Sequence, residues 1–156
     1  MAINHPKAGV NSVPSYQMSG IPFVTSSAET EVPRADNSDV TPIQVDFPFV
    51  TKNIKVRNIG GNNLRVGFTA LGVKTPGQSP KGANLTRNYF IIPPKDDAGN
   101  AGSDNSTVDF DVRCKSIFFA AEDGTTGFSL FAGLTRIDKD EFPILTGSVT
   151  DFEGIG

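Results

Sequence analysis

Tryptophan is absent from this chain, and histidine and cysteine occur once each, as His5 and Cys114. A single cysteine rules out an intramolecular disulfide framework. One histidine and one cysteine cannot supply the usual ligand set of a zinc site. A serine or cysteine nucleophile ordinarily works beside a histidine base, yet His5 stands in a proline-broken stretch outside the patterned part of the chain. The chain also lacks a basic run. Its formal charge is -3 with a pI near 5.1, which argues against direct contact with nucleic acid, where phosphates require a clustered basic face. No apolar run approaches the ~20 residues of a membrane-spanning helix. Met1 to Lys7 contain no apolar signal core, so secretion by the general route is not expected. Without secretion, the sequons at Asn84 and Asn105 carry no weight.

What the chain does have is alternation. Hydrophobic residues make up 37% of it, below the usual ~45–50%, and Gly 16 with Pro 11 point to many turns. From Ile54 to Thr69, two alternating runs flank the polar, glycine-containing Asn58 to Asn63. Ile54 and Val56 oppose Lys55 and Arg57, and Leu64, Val66 and Phe68 oppose Arg65, Gly67 and Thr69. A period of two is the strand period, and the intervening residues tolerate positive φ, so the stretch predicts a β-hairpin with one buried face.

Further strands are predicted at Ile43 to Phe47, Phe49 to Arg57, Asn88 to Ile92, Val108 to Val112 and Ser116 to Ala120. Phe128 to Gly133 reads as another, forming a second hairpin with Ser116 to Ala120 across the Glu122 to Gly127 turn. Long surface loops fill 71–85 and 95–106. No segment keeps a helical period over three turns. Seven or eight strands at sandwich-like spacing predict an all-β, antiparallel β-sandwich, jelly-roll-like in type. The domain is expected to span residues 40–141. Residues 1–39 read as an extended N-terminal arm broken by Pro6, Pro14, Pro22 and Pro33, and residues 142–156 as an extended C-terminal tail. Their apolar side chains, Ile21, Phe23, Val24, Phe142, Ile144, Leu145 and Phe152, are candidate assembly contacts.

Lys55, Arg57 and Arg65 form a candidate charged contact patch beside the first turn, the alternative being a charge ladder across the sheet with Asp109, Asp111 and Arg113. Asp96, Asp97, Asp104, Asp109 and Asp111 raise the question of calcium, but the loop matches no calcium-binding motif, and a solvated polar face is the preferred reading. Cys114 sits in a strand pattern and reads as a buried structural thiol. No catalytic residue, cofactor or metal is assigned.

Several pieces stand out together: Asn4-His-Pro-Lys-Ala-Gly-Val-Asn11, Tyr16 to Ser26, Val56 to Thr69, Lys115-Ser-Ile-Phe-Phe119, Ala132-Gly-Leu-Thr135, Phe142 to Ser148 and Phe152-Glu-Gly-Ile-Gly156. Together they resemble small virion structural proteins of marine tailed bacteriophages of the cyanophage kind. They cover most of the chain outside the loops at 71–87 and 95–107. The resemblance implies a non-enzymatic virion component, a capsid-decorating, vertex or tail-associated protein made in the host cytoplasm. Such a protein would assemble with copies of itself and with a major capsid or tail protein, without membrane or direct nucleic-acid contact. The alternative is a glycan- or receptor-binding module at a particle surface. Sugar platforms favour exposed aromatics, and here only Tyr16 and Tyr89 join phenylalanines placed mostly inward.

Overall fold

The computed structural model describes residues 20–34, 40–70, 72–74, 88–95 and 105–142. Among these residues eight strands follow one another: β1 (Ile21–Ser26), β2 (Ile43–Asp46), β3 (Phe49–Asn58), β4 (Leu64–Gly67), β5 (Phe90–Ile92), β6 (Thr107–Phe110), β7 (Ser116–Ala121) and β8 (Phe128–Asp138). A single 3₁₀ turn, Lys139–Glu141, ends the described chain, with Asp138 accepting a hydrogen bond from the Asp140 amide. Among the described residues no helix is long and apolar enough to cross a membrane. The architecture is all-β: two four-stranded antiparallel sheets, ordered β1-β8-β3-β6 and β2-β7-β4-β5.

The sheets share one core. Ile54, Val56, Leu130, Ala132 and Leu134 come from the first sheet, and Leu64, Val66, Ile92, Ile117, Phe119 and Ala121 from the second. Phe119 of β7 stacks on Phe128 of β8 with ring centroids 4.0 Å apart, joining the layers. Two edge-to-face pairs link the edges of the two sheets: Phe23 on Phe47 at 5.3 Å and Phe90 on Phe110 at 5.6 Å. Each fully buried side chain of this size contributes about 1.5–3 kcal/mol from apolar burial alone.

The expected hairpins are not hairpins. β3 and β4 lie in different sheets, and so do β7 and β8. Every sequential connection except β4 to β5 changes sheet. Alternation reports that a strand has a buried face; it does not name the partner strand. What turns the chain from one sheet to the other is Asn58. Its buried amide Nδ2 lies 2.8 Å from the Asn62 carbonyl, 3.1 Å from that of Ile92 and 3.0 Å from that of Pro93. Its Oδ1 accepts from the Gly60 amide at 3.1 Å and the Thr126 hydroxyl at 2.8 Å. One side chain thereby ties two crossings and the end of β5. Gly60 is required for closeness rather than for positive φ: a Cβ there would sit 2.8 Å from the Gly127 nitrogen. Gly124, at φ 63, is the positive-φ glycine among the described residues.

The arm boundary also shifts. Residues 21–26 pair in full register with β8, Ile21 opposite Leu134 and Ser26 opposite Ser129. Val32 is fully buried and bridges to Thr126, and Arg34 bridges to Ala121. Residues 21–26 thus belong to the first sheet, and Val32 and Arg34 hold the following segment to the domain by single bridges. Pro22 is compatible because β1 is an edge strand, where a missing N–H can face outward. The remainder of the arm, at 1–19 and 35–39, and the tail beyond Phe142 lie outside the described residues.

Candidate functional site

The outer face of the first sheet is built in rows that run across its four strands. β1 pairs with β8, β8 with β3, and β3 with β6. In one row, Ser26 faces Ser129, Ser129 faces Arg57, and Arg57 faces Thr107. In the adjacent row, Val24 faces Phe131, Phe131 faces Lys55, and Lys55 faces Asp109. Strand period two sends the intervening Leu130, Ala132, Ile54 and Val56 into the core, so these rows point to solvent. All residues of the two rows but Asp109 line an open depression of about 420 Å³, together with Thr25 and Leu130.

The chemistry of the depression is mixed. The Lys55 ammonium sits 3.3 Å from the Asp109 carboxylate, the cross-strand charge pair anticipated from the alternation. Arg57 has no carboxylate within ion-pairing distance among the described residues. Hydroxyls stand on both sides of it, from Ser129 and Thr107. Val24 is 72% exposed and Phe131 42% exposed, a cross-strand apolar pair left in water. Such a surface can bind through a guanidinium fork, hydroxyls and a small apolar ridge.

Arg65 does not join this patch. It lies on β4 of the second sheet, only 6% exposed. Its guanidinium stacks over the Tyr89 ring at 4.6 Å from the centroid, lies 3.7 Å from the Glu122 carboxylate, and donates to the Val73 carbonyl at 3.4 Å. The patch expected from Lys55, Arg57 and Arg65 therefore divides, because β3 and β4 present their outward residues on opposite sides of the molecule.

Of the candidate assembly contacts, Val24 faces outward and Ile21 is 38% exposed, whereas Phe23 packs inward on Phe47. Phe142 is half-buried, and its carbonyl accepts from the Lys115 ammonium at 3.3 Å. Ile144, Leu145 and Phe152 lie outside the described residues, as do His5, Asp96, Asp97 and Asp104. Asp109 is committed to Lys55, and Asp111 is exposed. Among the described residues no three His, Cys, Asp or Glu side chains gather as metal ligands.

Cys114 is buried, though it falls between β6 and β7 rather than within a strand. Its amide donates to the Thr51 hydroxyl at 3.0 Å, and Sγ lies 3.5 Å from the same oxygen. Burial pushes the thiol up to about 11, against a smaller opposing effect of the Thr51 contact. A thiol held this way stays protonated at neutral pH and is a poor nucleophile.

Sequence reasoning missed the joining of Val24 and Phe131 to Lys55 and Arg57. The outward positions of β3 and β8 were readable from alternation, but the register that sets them side by side was not. No family model, no curated protein and no solved structure matches the chain.

Proposed function

We propose that the chain is a non-enzymatic virion structural protein of a tailed phage. It decorates or stabilises the particle by assembling with copies of itself and with a capsid or tail protein. We also propose that its fold is a jelly roll. The support for the fold is the pairing scheme: β1 with β8, β2 with β7, β3 with β6, and β4 with β5. Rolling one long antiparallel hairpin into two sheets generates this set of pairs, and eight-stranded jelly rolls are recurrent in viral capsid proteins. Fold alone does not assign function.

The observation that carries the assembly reading is the uncovered face of the first sheet, where Val24 and Phe131 remain in water beside an edge strand. Apolar groups left together at an edge mark an interaction surface. The resemblance of the short sequence pieces to phage virion proteins points the same way. The test is to locate the tagged chain in purified particles by labelling and low-resolution imaging. A fixed, repeated position on the capsid or tail is expected. Particles that form fully, remain stable and contain none of the chain would overturn the reading.

A second reading, a glycan- or receptor-binding module, is favoured by the same depression, since hydroxyls, an arginine and one aromatic ring are groups that recognise sugars. A glycan array probed with the native chain and with Arg57→Ala separates the two. Binding that is lost in the variant would favour the module.

A further inference from the structure

The depression has a period that a strand-like ligand would match. Lys55 and Arg57 lie two residues apart on one outer face of β3, so their Cα atoms are separated by roughly 6.5–7 Å, twice the rise of a strand. An extended peptide with acidic residues two apart presents its carboxylates at the same spacing. The chain carries this pattern at Asp151 and Glu153, within Asp151-Phe-Glu-Gly-Ile155.

We propose that this acidic segment of a second copy lies extended over β3 in the depression, one carboxylate against Arg57 and the other beside Lys55. The inference rests on the assembly reading above and names the contact that would serve it. Three features of the site argue for this occupant. Arg57 has no acidic partner among the described residues, so its fork is open to a carboxylate from outside. Lys55 is shared with Asp109, so the site carries one net positive charge, which favours the carboxylate at Arg57, while the carboxylate beside Lys55 shares that exposed ammonium with Asp109. Val24 and Phe131 offer an apolar ridge beside the charged row, and Ile155, two residues past Glu153, falls on the same side of an extended segment as the acids, while Phe152 turns away. The partly exposed Ser129 and Thr107 hydroxyls beside Arg57 can hydrogen-bond the incoming carboxylate or its backbone.

The experiment measures self-association of the full chain by sedimentation velocity over a concentration series. Arg57→Glu stands on the exposed face and leaves the core untouched, so it is expected to fold as the native chain does, checked by its melting temperature. It should weaken association at least about tenfold, since a favourable charge contact becomes a repulsive one. Either Asp151→Arg or Glu153→Arg, combined with Arg57→Glu, should restore association, and which of the two does so reveals the direction in which the segment runs. If Arg57→Glu fails to fold, Asp151→Lys with Glu153→Lys in the otherwise native chain must show the same weakening.

Association unchanged by the reversals on either side overturns this docking and leaves the assembly reading standing. Weakening that neither second-site change restores also overturns it, because Arg57 then meets another group. A chain that stays monomeric at every concentration and in particles overturns both. Acidic glycans bound by the native chain and lost in Arg57→Glu, with association unaffected, would reassign the site to sugar.

Discussion

β3 and β4 carry the same sequence signal and end with opposite outer faces. Ile54-Lys-Val-Arg57 and Leu64-Arg-Val-Gly67 both alternate, and both bury their aliphatic residues. On β3 the outward Lys55 and Arg57 reach solvent. On β4 every residue is buried, Arg65 included. The difference comes from what the chain does next. After β4 it bends so that Val73 lies on the second sheet with Phe118 and Ala120, and Tyr89 closes over Arg65 before β5 begins. A buried guanidinium is tolerated only when its charge and donors are met, and Glu122 and the Val73 carbonyl help to meet them. Whether an outward arginine is a handle for partners or a structural post is therefore a tertiary property, decided by the segment that covers the strand.

The comparison depends first on the crossing that puts the two strands in different sheets. Asn58→Ala removes the group that ties Asn62, Ile92, Pro93, Gly60 and Thr126 together. The carbonyls of Ile92 and Pro93 and the Gly60 amide lose that partner, each at about 1–3 kcal/mol before relaxation, while the Asn62 carbonyl keeps the Thr126 hydroxyl. A net loss of about 3 kcal/mol is expected in urea unfolding. A loss below about 1 kcal/mol would mean that the crossing is held by something other than Asn58.

Next in size is a pH effect in the core that both strands share. Cys114, bonded to Thr51 of β3, has its thiol raised from 9.0 to about 11 by burial. Above pH 9 the unfolded chain releases the thiol proton while the folded chain retains it. The unfolded state then binds fewer protons, so stability falls as pH rises through this window. Two units of separation correspond to roughly 2–3 kcal/mol lost between pH 9 and 11. Cys114→Ala should flatten that slope, and an unchanged slope would place the titration elsewhere. The same thiol is a gauge for the comparison: alkylation at neutral pH should require unfolding, so any variant that loosens the core accelerates it.

Much of this fold was legible in the sequence, and the parts that were not share a cause. Period two located β2, β3, β4, β6 and the first half of β8, a short continuous apolar run located β7, and the alternation identified Ile54, Val56, Leu64, Val66 and Leu130 as inward. It also offered, as the alternative to a contact patch, a charge ladder with Asp109, and Lys55 pairs with Asp109. It could not choose between a hairpin and a crossing, because Asn-rich, glycine-containing links suit both and the decision rests on Asn58 reaching residues 34 and 68 positions away. It missed β1, since Pro22 and Pro33 look like breakers until an edge position makes the first harmless. It grouped Arg65 with Lys55 and Arg57 because nothing local announces Tyr89. The depression needed the register of four strands at once.

Arg65→Ala is expected to cost about 2 kcal/mol, since it leaves Glu122, whose side chain is 20% exposed, without its cation and opens space under Tyr89. Alkylation of Cys114 should accelerate accordingly. A stability change below about 0.5 kcal/mol would show that the cover over β4 does not depend on the arginine.

The smallest effect is expected on β3, and it decides whether the two strands truly differ. Lys55→Ala removes an ion pair whose side chains are 53% and 69% exposed. Pairs this open contribute about 0–1 kcal/mol, because water screens the attraction and two long side chains lose freedom to form it. Arg57→Ala removes no acidic partner among the described residues, so a change within about 0.5 kcal/mol is expected in urea unfolding, with the rate of Cys114 alkylation unmoved. The two variants together should be close to additive, since the residues contact different cross-strand neighbours, Asp109 and Thr107. A loss at Arg57 as large as that at Arg65 would break the comparison: the outer face of β3 would then be stabilising its own sheet, and its openness would no longer mark it as a surface kept for another molecule.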